Sequence, residues 1–269
     1  VHVHPSLWKF QTVMIGCERW ALTRLGFGLN IGPLAMKSVL STVLSFDPVI
    51  KQGTSSYVDD VLVNEDVVSA DHVREHLAKF GLAAKEPERA RDGVKLLGLS
   101  VQEVDGELHW KREDGSHRFP DKLTRRSVFS FCGKLVGHFP VCSWLRPAVA
   151  FIKRRANAVT ERWDDLISCE HVRTFLMEVT EKVHQSDPVR GRWDVRGTEA
   201  HLWVDASSVA IGVALEVDGS VIEDGAWLRG SDATHINMAE LDAVVKGLNL
   251  ALAWNFEKIV LYTDSATVH

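Results

Sequence analysis

The chain has 269 residues, of which 45% are hydrophobic and 25% are charged, and its formal net charge is −5. These values are typical of a globular protein, and they exclude a disordered or collagen-like chain. No run of about 18 apolar residues is present, so the sequence predicts no transmembrane helix.

Charge is unevenly distributed along the chain. Residues 111–156 hold eleven Lys or Arg and three Asp or Glu, whereas residues 197–269 hold eleven Asp or Glu and three Lys or Arg. A basic middle beside acidic flanks is typical of a protein that binds a polyanion in one place and divalent metal in another. A pair of solvated basic helices would give the same counts, so charge alone leaves both interpretations open.

The first third of the chain predicts a mixture of helices and strands. A turn-rich segment at 26–33 leads into apolar residues at helical spacing over 34–44. Two short strand-like runs, SSYV and VLVNE, flank Asp59 and Asp60, which predicts a tight hairpin. Apolar residues recur at helical spacing over 69–80, where we expect another helix.

The middle of the chain changes from strands to helices. The pair Asp105-Gly106 lies between VKLLGLSVQEV and ELHWKR, and such a pair is a strong hairpin-turn signal. Residues 120–185 predict successive helices that are separated at prolines. We interpret SDPVRGRWDVRG, at 186–197, as a linker.

The last segment predicts strand, hairpin, helix and strand in that order. HLWVDASS alternates like a strand, and a second hairpin is predicted around Asp218-Gly219. KIVLYTDS predicts a buried strand that ends at Asp264. Between them, a helix is predicted from Asn237 to Trp254, with these apolar residues on one face: Leu241, Val244, Val245, Leu248 and Ala251.

Three acidic residues of this segment are placed where carboxylates can converge. Asp205 closes a predicted strand, Glu240 lies in the first turn of the predicted helix, and Asp264 ends the next strand. Converging carboxylates repel each other, and a hard divalent cation relieves that repulsion. Two such ions about 4 Å apart would activate a water and stabilise the leaving oxygen in phosphodiester cleavage.

Each of these three residues also has an ordinary structural interpretation. Glu240 follows Asn237 at the spacing of a capping box, Asp264 can cap a following helix, and Asp205 can be a turn residue. For each residue alone both interpretations stay open. The metal hypothesis depends on the occurrence of all three together.

The segments WVDASSVAIGVAL, HINMAELDAVVKGLNLALAW and LYTDSATVH resemble the ribonuclease H domain of retroelement polyproteins. The resemblance implies that Asp205, Glu240 and Asp264 are catalytic and bind two Mg²⁺ ions for cleavage of RNA–DNA hybrids. The family's later His and fourth Asp would lie beyond His269, so we expect the domain to be C-terminally truncated.

Upstream segments are similar to successive palm motifs of a retroelement reverse transcriptase: LTRLGFGLNIGP, SSYVDDVLV, HLAKFGLAAKEPER and VKLLGLSV. The resemblance implies that Asp59 and Asp60 are catalytic ligands of two further Mg²⁺ ions, Asp59 directly and Asp60 in support. The family's third palm carboxylate would precede Val1, so we expect the chain to be a fragment.

The same resemblance implies binding residues and partners. Phe27 and Gly28 match positions that face template and incoming nucleotide, and Tyr57 is expected to lie against the primer–template backbone. The expected partners are primer–template, dNTP, RNA–DNA hybrid and other parts of the polyprotein, with no membrane. The expected location is intracellular, in the cytoplasm, the nucleus or a retroelement particle.

The basic block falls where this family has its thumb and connection. We expect these helices to bind phosphates without base readout, so affinity for nucleic acid should fall steeply with salt. The residues expected to do so are Lys122, Arg125, Arg126, Lys134, Arg146, Lys153, Arg154 and Arg155.

The fold class expected from these patterns is α+β and multi-domain. It comprises a partial polymerase palm with an antiparallel sheet and helices over 1–110, a helical thumb and connection over 111–185, the linker over 186–197 and a ribonuclease H-like α/β domain over 198–269. The expected function is that of an RNA-directed DNA polymerase with ribonuclease H activity, the fragment alone being inactive as a polymerase.

Two alternatives stay open at this point. The chain can be a non-catalytic, nucleic-acid-binding remnant of a decayed or domesticated retroelement. It can also be a structural or interaction protein in which the motifs are coincidental.

Overall fold

A computed structural model of the chain describes residues 2–26, 28–113, 119–230, 235–266 and 268. The chain divides into two compact units, Val1–Pro87 and Glu88–His269, which are described in turn. Both contain helices and β-sheets, so the mixed α+β class is confirmed. None of the described helices has the length and apolar character that crossing a bilayer requires.

The first unit is built from short hairpins and helices around a small apolar core. Leu40, Val43 and Leu44 of α1 pack with Ile50 and Val73 in that core, which confirms the helix predicted over 34–44. The elements are β1 (Thr12–Ile15), β2 (Glu18–Ala21), α1 (Gly32–Ser45), α2 (Pro48–Gly53), β3 (Thr54–Tyr57), β4 (Asp60–Val63) and α3 (Ala70–Lys79).

The helix α3 (Ala70–Lys79) lies one residue inside the predicted span of 69–80 at each end. The Ser69 hydroxyl accepts a hydrogen bond from the His72 N–H at 3.3 Å, so it caps the first turn. Gly81 follows the last turn with φ +72°, a conformation that glycine adopts without strain. The helix predicted over 69–80 is therefore confirmed.

The hairpin of β3 and β4 has a two-residue turn. Tyr57 pairs with Asp60, so the turn consists of Val58 and Asp59, and Asp60 is the first residue of β4. Val58 has φ +55°, which is strained for a β-branched side chain. The predicted hairpin is confirmed, with its turn one residue earlier than the Asp59-Asp60 pair.

The second unit begins with a four-stranded antiparallel sheet, in the order β5-β6-β7-β8, that packs with a group of helices. Asp105 and Gly106 have φ +53° and +82°, as a tight hairpin turn requires, so this predicted hairpin is confirmed. The elements are β5 (Val94–Leu96), β6 (Leu99–Val104), β7 (Glu107–Arg112), α4 (Arg125–Val136), α5 (Leu145–Ala158), α6 (Glu170–Gln185) and β8 (Arg190–Arg192).

The segment predicted as a linker contributes a strand to this sheet. Strand β8 pairs with β7, and Val189 beside it is only 1% exposed within the core. Asp187 forms an ion pair with the buried guanidinium of Arg112 at 2.7 Å. These contacts bind the segment to the same core as the helices, whereas a linker would be solvated.

The rest of the second unit is a four-stranded sheet covered by one long helix. The strand order is β11-β10-β9-β12, and β12 runs parallel to β9. Gly247 lets the helix approach the sheet closely, because a Cβ there would lie 3.0 Å from Val204 and 3.1 Å from Leu202. The elements are β9 (Glu199–Ala206), β10 (Ala210–Val217), β11 (Ser220–Leu228), α7 (Ile236–Leu252) and β12 (Lys258–Tyr262).

Two details of this region differ from the sequence-based expectation. Helix α7 buries Val244 and Ala251 but exposes Leu241, Val245 and Leu248, so its apolar residues occupy two faces. Strand β12 is half-buried, whereas a buried strand was predicted, because it lies at the edge of the sheet and pairs with β9 alone among the described strands.

Candidate functional site

The fold brings Asp205, Glu240 and Asp264 together at one end of the second sheet. Trp203 on β9 pairs with Tyr262 on the parallel strand β12, so Asp205 and Asp264 each lie two residues beyond a paired position. Glu240 lies near the start of α7, which packs on β9 and β10. One carboxylate oxygen from each residue lies within 4.8 Å of the others.

Glu240 carries an electrostatic cost at this position. Its side chain is buried, and its Oε2 atom has no hydrogen-bond partner within the described part of the chain. Burial raises the pKa of Glu240, and the charges of Asp205 and Asp264 raise it further. A hydrogen bond from the Ala206 N–H partly offsets these effects.

The ordinary interpretations of Glu240 and Asp205 do not fit the structure. Asn237 lies inside α7 after the N-cap residue His235, which has no side-chain cap, so Glu240 and Asn237 form no capping box. Asp205 lies within β9 and pairs with Gly212. The turn after β9 is made by Ser207, whose hydroxyl accepts hydrogen bonds from the Val209 and Ala210 N–H groups.

The donor set suits a hard divalent cation. Asp205 and Asp264 are exposed, while Glu240 offers a buried oxygen that lacks a donor. Carboxylate oxygens are the ligands that Mg²⁺ accepts in proteins. The three residues therefore form a group that can hold a divalent metal ion.

Arg229 lies next to this group and links it to the basic helix α5. Its guanidinium donates to the Ser207 carbonyl oxygen at 2.7 Å, two residues after Asp205, and its charge lowers the pKa of Glu240. The Arg154 guanidinium in turn donates to the Arg229 carbonyl oxygen at 3.4 Å. The sheet end is thus connected to the basic region by direct hydrogen bonds.

The second predicted carboxylate group, Asp59 and Asp60, has a different setting. Both side chains are exposed on the β3–β4 hairpin. Among the described residues, the only group of three or more acidic, His or Cys side chains arranged to hold a metal is the one at Asp205. The hairpin pair therefore has no third ligand among those residues.

The predicted nucleotide- and template-facing residues belong to the first unit. Phe27 lies outside the described residues. Gly28 is exposed with φ +83°, and a Cβ there would meet no atom within 4 Å. Tyr57 is 63% exposed at the end of β3, so both described residues are accessible to a ligand.

Four of the eight basic residues predicted to bind phosphate are exposed and available. Lys122 and Lys134 are exposed, and their side chains pair with no described residue. Arg154 and Arg155 are exposed on α5, although Arg154 also contacts the Arg229 carbonyl oxygen and Arg155 hydrogen-bonds the Cys169 side chain.

The other four are engaged by protein groups. Arg126 forms an ion pair with Asp164 at 2.8 Å, and Arg146 forms one with Asp224 at 2.6 Å. Arg125 stacks over the Trp163 ring at 4.7 Å, and the Lys153 ammonium lies 5.6 Å from the centre of the Phe129 ring.

The Arg146–Asp224 ion pair joins α5 to β11. Asp224 is largely buried, and its carboxylate also accepts hydrogen bonds from the N–H groups of Cys142 and Ser143. The Arg146 Nη2 atom donates to the carbonyl oxygens of Phe139 and Pro140. Arg146 is therefore a structural residue of this joint, and sequence reasoning missed its partner because the two are distant along the chain.

Comparison with known proteins agrees with this architecture. A family model described as reverse transcriptase-like matches residues 205–269, and one described as a domain of unknown function (DUF7047) matches residues 124–185. No curated protein matches the chain.

Three solved structures of a foamy viral protease-reverse transcriptase are similar to the chain. The complex with dsDNA is 14% identical, with a TM-score of 0.70 over 98% of this chain and 56% of that chain. The dRH form with dsDNA is 14% identical, with a TM-score of 0.73 over 99% of this chain and 48% of that chain. The complex with RNA/DNA hybrid is 16% identical, with a TM-score of 0.68 over 97% of this chain and 36% of that chain.

These similarities show the fold of the chain. It is similar to the fold of a reverse transcriptase, and its last segment resembles a reverse transcriptase-like family. The chain spans between 36% and 56% of the length of these solved structures.

Proposed function

We propose that this chain is part of a retroelement polyprotein that combines an RNA-directed DNA polymerase with a ribonuclease H. The observation that carries the proposal is the convergence of Asp205, Glu240 and Asp264 within 4.8 Å. It occurs inside the region that the reverse transcriptase-like family model matches. The overall similarity to a viral reverse transcriptase supports it.

The three carboxylates would hold two Mg²⁺ ions, which supply activation of water and stabilisation of the leaving oxygen when bound. Glu240 holds its charge in a buried position beside two other acids, so a bound cation would add to the stabilisation of its ionised form that the Ala206 N–H and the Arg229 charge supply. Asp205 and Asp264 are exposed, and they leave the outer side of the group open to a phosphodiester. We therefore assign phosphodiester hydrolysis to this group, and the resemblance to ribonuclease H implies the RNA strand of an RNA–DNA hybrid as its substrate.

The first unit would supply part of the polymerase site. Asp59 and Asp60 would be ligands of two further Mg²⁺ ions, Asp59 directly and Asp60 in support. Gly28 and Phe27 would face template and incoming dNTP, and Tyr57 would contact the primer–template. The β3–β4 hairpin supports this assignment because it presents both carboxylates to solvent.

The domain organisation that accompanies this function has three parts. We assign 1–110 to a partial palm, 111–185 to a basic thumb and connection, and 198–269 to the ribonuclease H-like domain. The segment 186–197, predicted as a linker, packs with the sheet and helices that precede it. The basic helices would bind phosphates, so affinity should fall steeply with salt. Further partners would be other parts of the polyprotein, in an intracellular setting.

Magnesium binding and hybrid cleavage by the full chain test the proposal. Mg²⁺ should bind in an isothermal titration, and a labelled RNA–DNA hybrid should be cleaved only when Mg²⁺ is present. Glu240→Gln should abolish cleavage and remove the Mg²⁺ binding that belongs to the Asp205, Glu240 and Asp264 group, because it deletes the buried negative charge; binding at the Asp59–Asp60 hairpin would remain. Asp242→Asn, on the exposed side of the same helix next to Lys246, should change neither.

The possible results separate the alternatives. Hybrid binding without any Mg²⁺ response would indicate a non-catalytic nucleic-acid-binding remnant. Absence of both would contradict the proposed function and favour an interaction protein.

A further inference from the structure

The turn between β9 and β10 lies next to the metal-binding group, which consists of Asp205, Glu240 and Asp264. The turn begins at Ser207, two residues after Asp205. Ala206 lies between them, and its N–H donates a hydrogen bond to the Glu240 carboxylate. A displacement of the turn would therefore move both the Asp205 carboxylate and a hydrogen-bond donor of Glu240.

Arg229, at the end of β11, holds this turn with two hydrogen bonds. Its backbone N–H donates to the Val209 carbonyl oxygen at 2.8 Å, which extends the pairing of β10 with β11 by one step beyond Ala210 and Leu228. Its guanidinium donates to the Ser207 carbonyl oxygen at 2.7 Å. The main chain and the side chain of one residue thus contact the turn at two points.

Arg229 is in turn connected to helix α5. Both terminal nitrogens of the Arg154 guanidinium donate to the Arg229 carbonyl oxygen, at 3.4 and 3.5 Å. Helix α5 is fixed in the core by Ile152 and Ala156, which are almost completely buried. The β9–β10 turn is therefore connected through Arg229 to a firmly packed helix.

The charge of Arg229 alone does not explain its place beside the metal-binding group. The guanidinium lies close enough to Glu240 to lower the pKa of that carboxyl. A cation also repels Mg²⁺, so the Arg229 charge by itself opposes metal binding. The hydrogen bonds of Arg229 to the turn act in the opposite sense, because they hold the ligands in place.

We propose that Arg229 is a positioning residue of the metal-binding group. It holds the turn so that the Asp205 carboxylate and the Ala206 N–H stay beside Glu240. The inference rests on the proposed function, which supplies the Mg²⁺ ions, and it assigns the geometry of the site to a residue that is itself no metal ligand. Residues that orient metal ligands typically contribute about 10- to 100-fold to metal affinity or activity.

The affinity for Mg²⁺ in the absence of nucleic acid tests the proposal. Isothermal titrations use the full chain with Asp59→Asn/Asp60→Asn as the reference, so that the hairpin carboxylates do not contribute. In that background Arg229→Gln should bind Mg²⁺ about 10- to 100-fold more weakly, because the turn is no longer held. Arg229→Lys should lie between the two, since an ammonium group can donate to the Ser207 carbonyl oxygen but has no planar fork.

Hydrogen exchange in EDTA supplies a measurement that needs no metal. The Val209 and Ala210 N–H groups donate to the Ser207 hydroxyl, and both should exchange faster in Arg229→Gln than in the wild type. The amides of α6 should exchange at an unchanged rate, because that helix is distant along the chain from the turn. Arg173→Gln, which removes an exposed charge on α6, should change neither exchange nor Mg²⁺ affinity.

Hybrid binding separates a positioning residue from a phosphate contact. In EDTA, the affinity of Arg229→Gln for a labelled RNA–DNA hybrid should equal that of the wild type, because Arg229 acts on the metal ligands. In Mg²⁺, the same variant should cleave the hybrid more slowly at an unchanged KM, since the loss would lie in the reacting site and not in substrate binding.

The outcomes distinguish this inference from the function on which it rests. Unchanged or tighter Mg²⁺ binding in Arg229→Gln would overturn the inference alone, since only the repulsive charge of Arg229 would then matter. So would a loss of hybrid affinity with unchanged Mg²⁺ binding, because Arg229 would then contact phosphate. Absence of both Mg²⁺ binding and cleavage in the wild type would contradict the proposed function, and the inference with it.

Discussion

The two carboxylate groups of this chain are built in opposite ways. Asp59 and Asp60 are adjacent in sequence, and the fold leaves both on an exposed hairpin without a third ligand among the described residues. Asp205, Glu240 and Asp264 are distant in sequence, and the fold brings them within 4.8 Å, with one of them buried. Adjacency in the sequence supplies charge, whereas a metal site needs convergence and partial desolvation.

Asparagine substitutions test this comparison most strongly through hybrid cleavage. Asp264→Asn should lower the cleavage rate by at least about 100-fold, because it removes one of three converging charges. Loss of a residue that only supports a metal ligand usually costs less, about 10- to 100-fold in metal affinity or activity. Asp59→Asn should leave cleavage unchanged, since Asp59 belongs to the other group. Rates with a labelled hybrid in Mg²⁺ measure both, and equal losses in the two variants would contradict the assignment of separate sites.

Breaking the Arg146–Asp224 ion pair tests how much this contact between α5 and β11 stabilises the fold that holds the convergent group. Asp224→Ala should lower the free energy of unfolding by about 3–5 kcal/mol, because it leaves the Arg146 charge without its partner in a largely buried site. Asp164→Ala, which breaks the exposed ion pair with Arg126, should cost less than about 1 kcal/mol. Denaturant titration measures the free energy of unfolding of both variants. Similar losses would show that the Arg146–Asp224 ion pair stabilises the fold no more than an exposed ion pair does.

The distance along the sequence between interacting residues explains why some features could be predicted from sequence and others could not. The Asp105-Gly106 turn and the Ser69 cap depend on residues within one turn of each other, so their patterns are visible locally. The Arg146–Asp224 pair joins residues 78 apart in sequence, and no local pattern indicates it. Its Asp is one of several acidic residues in a hairpin strand.

The strand β8 was missed for a related reason. It has three residues and follows Pro188 and Val189, and the alternation of Val189, Arg190 and Gly191 is the regularity that its sequence offers. Proline and glycine predict a loop. Its pairing depends on Trp110, which contacts a residue 82 positions later, so only the folded chain reveals it.

The convergent acids were predictable as a set, because each occupies the end of an element whose pattern is clear. Their geometry was not predictable, since the parallel pairing of β9 with β12 and the burial of Glu240 depend on the whole sheet. The buried Glu240 Oε2 atom is the feature that separates a metal site from three surface acids.

The pH dependence of stability provides the next test. The pKa of Glu240 is raised above its ordinary value of 4.5 by burial and by the neighbouring acids. A raised carboxyl pKa contributes stability below the ordinary value, and that contribution is lost as pH rises through the folded-state pKa. In EDTA, Glu240→Gln should therefore be more stable than the wild type at neutral pH, by about 1 kcal/mol.

Thermal unfolding between pH 4 and pH 8 measures this difference. The gap between wild type and Glu240→Gln should widen as pH rises, and Mg²⁺ should raise the midpoint of the wild type much more than that of Glu240→Gln. Asp60→Asn, in the exposed hairpin, should show no such pH-dependent gap and should keep the Mg²⁺ response, because the three-carboxylate group is intact. An undiminished Mg²⁺ response in Glu240→Gln would refute the buried carboxylate as a metal ligand.

The smallest expected effect concerns the turn of the exposed hairpin. Val58 has φ +55°, and this region costs a β-branched residue about 1–2 kcal/mol. Val58→Gly should relieve that strain but increase the entropy of the unfolded chain by about 0.5–1 kcal/mol, so a net gain of under about 1 kcal/mol is expected. Val61→Gly in β4, where Val61 packs on the core, should instead destabilise. A loss of stability in Val58→Gly would show that the valine side chain makes a contribution larger than its backbone strain, and the hairpin would then be held by more than its two-residue turn.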